Sequence, residues 1–170
     1  MSFAMQIENR DGRFHAAFAG PINEDAELPL AQLPARLSGS DVIFNFRRVT
    51  LINSCGVRAW IKFMRVIDNA RVVFEECTPD IIAQINMIPN FRGNATIRSV
   101  HAPYLCETCD SQKWHLFEAG KNLPANAFDD LEDVKCGKCG SNMVMEEIPE
   151  EFFLWIKDVD SDGKDRGRVF

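Results

Sequence analysis

The apolar positions of this chain change period several times, and each change marks an element. Met5-Gln6-Ile7-Glu8 alternates as a strand does, Phe14, Ala16 and Phe18 alternate again, and Asp11-Gly12 between them is a hairpin signal. Gly20-Pro21 ends that strand. Asn23 to Leu28 offers an N-cap and early acids for a first helix, which Pro29 and Pro34 interrupt. Beyond the loop Ser38-Gly39-Ser40-Asp41, Val42, Ile43, Phe44 and Phe46 have the length of a buried strand, and Arg47 to Asn53 carries Val49, Leu51 and Ile52 into a turn.

Helical spacing then takes over. Val57, Trp60, Ile61, Met64 and Ile67 define a buried face, and Asn53 or Ser54 is the natural N-cap. If Ser54 caps, its hydroxyl is turned towards backbone amides. Arg58, Lys62 and Arg65 form a basic stripe with Phe63 and Val66 beside it. Asn69 reads as the stop, and Arg71 to Glu76 as a further strand. Thr78-Pro79-Asp80 opens a helix carrying Ile81, Ile82, Ile85 and Met87 or Ile88 on its apolar side. Pro89 to Gly93 closes it, and Ala95 to Val100 is a last strand. Strands alternating with helices predict an α/β layer with right-handed crossovers.

Charge divides the chain in two. Residues 1–102 carry 11 Lys and Arg against 10 Asp and Glu, whereas residues 103–170 carry 8 against 15. The expected organisation is an α/β unit over 1–102, a brief linker at His101-Ala102-Pro103-Tyr104, and a second, acidic unit over 103–170. An acidic unit repels a phosphate backbone, so nucleic acid is not an expected partner. Neither a membrane-spanning run nor a secretory leader is evident, which points to a cytoplasmic protein without a membrane role.

Of the six cysteines, Cys55 and Cys77 stand alone, while Cys106-x-x-Cys109 and Cys136-x-x-Cys139 are paired with 26 residues between the pairs. Two residues between thiolates let both sulfurs reach one tetrahedral metal, and the second pair completes the shell. This predicts a zinc ribbon. Four thiolates leave no open coordination position, so the Zn2+ is structural; iron in a rubredoxin-like site uses the same ligands. His115, though near in sequence, is not needed, and His15 and His101 have no partner motif. Trp114, Leu116 and Phe117 are expected in one strand over the site and Met143-Val144-Met145 in another. A final helix from Pro149 should bury Phe152, Phe153 and Ile156, with Trp155 flanking. Asp158-x-Asp160-x-Asp162-Gly163 resembles half of a calcium loop, but its twelfth position is Val169, so it reads as a solvated acidic tail.

The run Val42 to Ile67 resembles the STAS domain, the fold of sulfate-transporter tails and bacterial anti-sigma factor antagonists. In that family a strand runs into a D-S-S-G or D-S-T-G loop that begins the second helix, and the residue before the glycine is phosphorylated by a partner kinase. Here the loop is Asn53-Ser54-Cys55-Gly56. Asn53 replaces the aspartate, and Cys55 stands at the phosphoacceptor position. The resemblance spans about Phe3 to Val100. It implies a STAS fold, a mixed sheet packed with helices, followed by the zinc ribbon. It also implies a non-catalytic signalling module whose loop and following helix, through Arg58, Lys62 and Arg65, bind a regulatory kinase, phosphatase or sigma-factor regulator.

A thiol-based redox sensor is the second reading, because Cys55 sits at a helix start and zinc thiolates can be oxidised with release of the metal. An enzyme ranks last. The chain has no GxxxxGK[ST], GxSxG or HExxH motif.

Overall fold

A computed structural model describes residues 2–37, 39–67, 70–126 and 129–157. The expected stop at Asn69 and the Asp158–Gly163 segment lie outside the described residues. β1 (Ala4–Arg10) and β2 (Arg13–Ile22) form an antiparallel hairpin. Its two-residue turn puts Asp11 at φ 51° and Gly12 at φ 78°, the positive angles that an Asp-Gly turn accommodates. Asn23 caps a single 3₁₀ turn over Glu24–Ala26, which runs into α1 (Glu27–Gln32); α2 (Pro34–Leu37) follows. The two prolines thus break the expected helix into short pieces.

β3 (Asp41–Ile52) runs 12 residues. The expected turn at Arg47–Asn53 is therefore strand as far as Ile52, held by parallel pairing to β2 through two register shifts. α3 (Ser54–Val66), β4 (Arg71–Glu75), α4 (Pro79–Met87) and β5 (Thr96–Ile97) complete a five-stranded sheet in the order β1-β2-β3-β4-β5. β2 through β5 are parallel, so the α/β architecture is present. Thr78 occupies the N-cap position of α4, but its buried hydroxyl makes no capping bond.

One side of this sheet carries the core. Phe44 and Phe46 of β3 and Phe74 of β4 meet Trp60 of α3 at ring-centroid distances of 5.4–5.8 Å, and the Trp60 indole N–H donates to the Phe91 carbonyl at 2.8 Å. The buried face of α3 is rotated from the one its sequence suggests: Gly56, Ala59, Trp60, Phe63 and Met64 are buried, while Val57 and Ile61 are half-buried. Two apolar stripes overlap on this helix. Contact with Phe44, 5.5 Å from the Phe63 ring, selects the one containing Phe63.

His101–Tyr104 is not a linker. It lies within β6 (Ser99–Leu105), the central strand of a second sheet with β7 (Gln112–Glu118) and β8 (Val144–Met145), in the order β7-β6-β8. Cys77 and Val100 pair across the junction of the two sheets, with the His101 N–H donating to the Cys77 carbonyl at 2.8 Å. The end of the described chain, α5 (Pro149–Phe152) and a 3₁₀ turn over Leu154–Lys157, spans both parts. Phe153 meets Phe117 of β7, and the Asn86 amide of α4 donates to the Glu151 and Phe152 carbonyls. Trp155, expected at the flank, is buried with Phe152, Phe153 and Ile156.

Candidate functional site

Each cysteine pair sits on the turn of a tight hairpin, and the two turns are built alike. Around the first, the Cys106 N–H donates to the Ser111 carbonyl and the Asp110 N–H returns to the Cys106 carbonyl, both at 2.8 Å. Around the second, Cys136 pairs in the same way with Ser141 and Gly140, both at 2.9 Å. Asp110 (φ 55°) and Gly140 (φ 77°) occupy equivalent left-handed positions, which let the chain reverse directly after the second thiol. The repeat C-x-x-C-[DG]-S was visible in the sequence as the signal for this doubled turn.

The four sulfurs lie within 4.8 Å of one another, with Cys106–Cys139 at 3.4 Å and Cys109–Cys136 at 3.6 Å. Sulfurs around a tetrahedral metal with ~2.3 Å bonds stand about 3.8 Å apart, so the cluster fits such an ion. Backbone N–H groups of Cys139 and Lys138 hold the Cys136 thiol down at about 6, and Ser141 lowers Cys139. Burial and the hydrogen bond shared with Cys139 push Cys106 up to about 11. A crowded cluster of thiols resists full ionisation without a cation, and a bound metal ion supplies that charge. Cys106, Cys109, Cys136 and Cys139 are thus able to bind a metal ion.

His115 is not among the clustered groups. It pairs with Glu132 at 2.6 Å, and Asn122 ties Glu132 to the Leu116 carbonyl, fixing the segment after β7.

The loop before α3 is organised around Asn53. Its side-chain oxygen accepts from the Gly56 N–H at 2.9 Å, its own N–H donates to the Ile22 carbonyl at 3.2 Å, and its side-chain amide donates to Glu24 at 3.2 Å. Glu24 is held below its ordinary value by its own backbone N–H and then by Asn53. Ser54 is the first residue of α3 and exposed, so the cap belongs to Asn53 and not to Ser54. Cys55 is exposed on the first turn, with the Arg58 guanidinium 3.4 Å from its sulfur. Lys62 faces Glu27 at 3.5 Å, while Arg65 makes no ion pair among the described residues. Together Glu24, Glu27, Cys55, Arg58, Ala59 and Lys62 line a shallow cleft of about 280 Å3. Val66 is 68% exposed beside it, but Phe63, expected on the same face, is buried. Glu24 and Glu27 were missed from sequence because they enter from the preceding 3₁₀ turn and α1.

No family's sequence model matches the chain, and no curated protein matches it. Among solved structures it is similar to the anti-sigma factor antagonist SpoIIAA in its unphosphorylated form. That likeness covers 42% of this chain and 72% of that one at 20% identity, with a TM-score of 0.36. Among the described residues no helix is long and apolar enough to cross a membrane.

Proposed function

We propose that the chain is a non-catalytic, cytoplasmic interaction module of the anti-sigma-antagonist kind. In this reading residues 1–102 bind a regulatory protein partner, a kinase, phosphatase or sigma-factor regulator, through Asn53, Ser54, Cys55, Gly56, Arg58, Lys62 and Arg65. The observation that carries it is the rigid presentation of that loop. Asn53 closes the first turn of α3 and pins it to β2 and Glu24, so Cys55 and the basic stripe stand on one exposed, mixed-charge surface. Such a surface suits orientation-specific protein recognition better than turnover, since no histidine or carboxylate is hydrogen-bonded to the thiol among the described residues.

In this reading residues 103–170 form a unit stiffened by a structural Zn2+ on the four cysteines, its central strand drawn from residues 99–105. A thiol cannot accept phosphate from a serine kinase in the ordinary way, so the partner is bound constitutively with respect to Cys55. Affinity capture with the intact chain from its native host tests the proposal. Enrichment of a serine kinase, phosphatase or sigma regulator is expected, and loss of that enrichment on Arg58→Glu ties it to α3. Capture of nucleic acid instead overturns it.

One contact favours a second reading, oxidation sensing at Cys55: the sulfur is exposed, with the Arg58 guanidinium 3.4 Å away. Labelling of Cys55 by a sulfenic-acid probe at low peroxide, with release of the partner, would replace the constitutive reading.

A further inference from the structure

The face of the larger sheet opposite α3 carries a second concavity. On β3, Val42, Phe44 and Phe46 belong to the core, so Asp41, Ile43, Asn45 and Arg47 point the other way. Strand register places Arg13, Asp41 and Arg71 side by side at the start of β2, β3 and β4, and Ile43 beside Val73 in the same direction one step along. These residues line a cleft of about 370 Å3, with Arg98 at its far wall. Ile43 is only 5% exposed, although it points away from the helices, because it forms the floor of a walled hollow. A volume of this order suits a small ligand, and the cleft sets an apolar floor among polar groups, with Asn94 and Thr96 in the lining beside the arginines and Asp41.

Among the described residues the charges around it do not balance. Arg71 donates its Nε to Asp41 at 2.9 Å, and Arg13 stands 3.9 Å from the other oxygen of the same carboxylate. Arg98 is taken by Glu75. Among the described residues two guanidinium groups thus share one carboxylate, and the outer nitrogens of both remain to donate. Guanidinium pairs of this kind hold a carboxylate or phosphate by parallel N–H···O bonds.

We infer that this cleft binds a small amphiphilic anion, its acid group held by Arg13 and Arg71 and its flat apolar body on Ile43 and Val73. The site lies at the starts of the parallel strands, at the opposite end of β3 from the Asn53 loop. It is independent of the function proposed above.

The test uses the intact 170-residue chain, with backbone amide shifts followed by NMR during titration with 1-naphthyl phosphate, 1-naphthoate and inorganic phosphate. Saturable shifts confined to amides near Arg13, Asp41, Arg71 and Thr96 are expected with the naphthyl phosphate, the naphthoate or both. The tighter of the two identifies the acid as phosphate or carboxylate. Arg71→Gln and Arg13→Gln, both on well-exposed side chains, should each weaken binding by about tenfold with the melting temperature unchanged. Absence of saturable shifts with both naphthyl probes overturns the inference. So does equal binding of inorganic phosphate, which removes the role of the apolar floor, or undiminished binding in both arginine variants.

Discussion

A Cβ placed on Gly56 would lie 1.9 Å from the carbonyl oxygen of Ile22, so α3 and β2 meet with no room for a side chain. The same carbonyl accepts the Asn53 N–H. Two backbone segments that start more than thirty residues apart are thereby locked at the base of the candidate loop.

Gly56→Ala follows directly. The obstructing atom is backbone and cannot rotate aside, so the helix start must shift and the Asn53 hydrogen bond to β2 weakens. A loss of about 2–3 kcal/mol is expected, at the upper end for overpacking. Chemical denaturation should report it as a lower midpoint at unchanged slope. An unchanged midpoint would show that α3 does not need this approach.

Metal analysis checks the ribbon. Purified protein should hold about one zinc per chain, and Cys136→Ser should abolish it. Because structural zinc supplies roughly 10 kcal/mol or more in small zinc domains, the variant should lose protection of β7 and β8 to hydrogen exchange. The aromatic cluster around Trp60 should keep its protection. Protein purified under mild conditions without any metal would contradict the assignment.

Charge at position 55 should govern partner binding. Cys55→Asp places a carboxylate beside Glu24 and Glu27 and should weaken binding by about tenfold or more, whereas Cys55→Ala leaves it nearly unchanged. A negative group in the first turn favours the helix dipole, so the Asp variant stays folded and lost binding is not lost structure. Because Asn53 and not Ser54 supplies the cap, Ser54→Asp is the companion test. Phosphate found on Ser54 in protein from the native host would move the switch by one residue and end the constitutive reading.

Glu76 offers a pH-dependent signature. Burial raises its carboxyl, but hydrogen bonds from His101 and Asn45 and the charge of Arg47 outweigh that, leaving it below its ordinary 4.5. A carboxyl lowered on folding stabilises the native state above its unfolded value and loses that contribution as pH falls through the folded one. Glu76→Gln should therefore cost about 1 kcal/mol at pH 7 and progressively less as the pH drops below about 4.5. A penalty that stayed constant down to pH 3 would assign it to packing instead of charge.

Much of this molecule was legible from local pattern. The Asp-Gly hairpin, the run from β3 into α3, α4 after Pro79 and the twin cysteine pairs all depend on neighbours within a few residues, where periodicity and turn chemistry act. The sequence alone therefore determined the α/β class, the loop that opens α3 and the thiol pairs able to meet around a metal. Other features depended on groups distant in the chain. Which stripe of α3 is buried was settled by Phe44, and the close approach of Gly56 by Ile22. His101, which has no local motif, acquires Glu76 as a partner only because β6 passes the end of β4. For the same reason His101–Tyr104 reads as a linker until β7 and β8 pair on either side of it. The arginines at 13, 71 and 98 look like ordinary surface charge until parallel register brings them around one hollow. Local pattern fixes the elements, whereas strand register and close packing are collective, and they decide which side chains share a site.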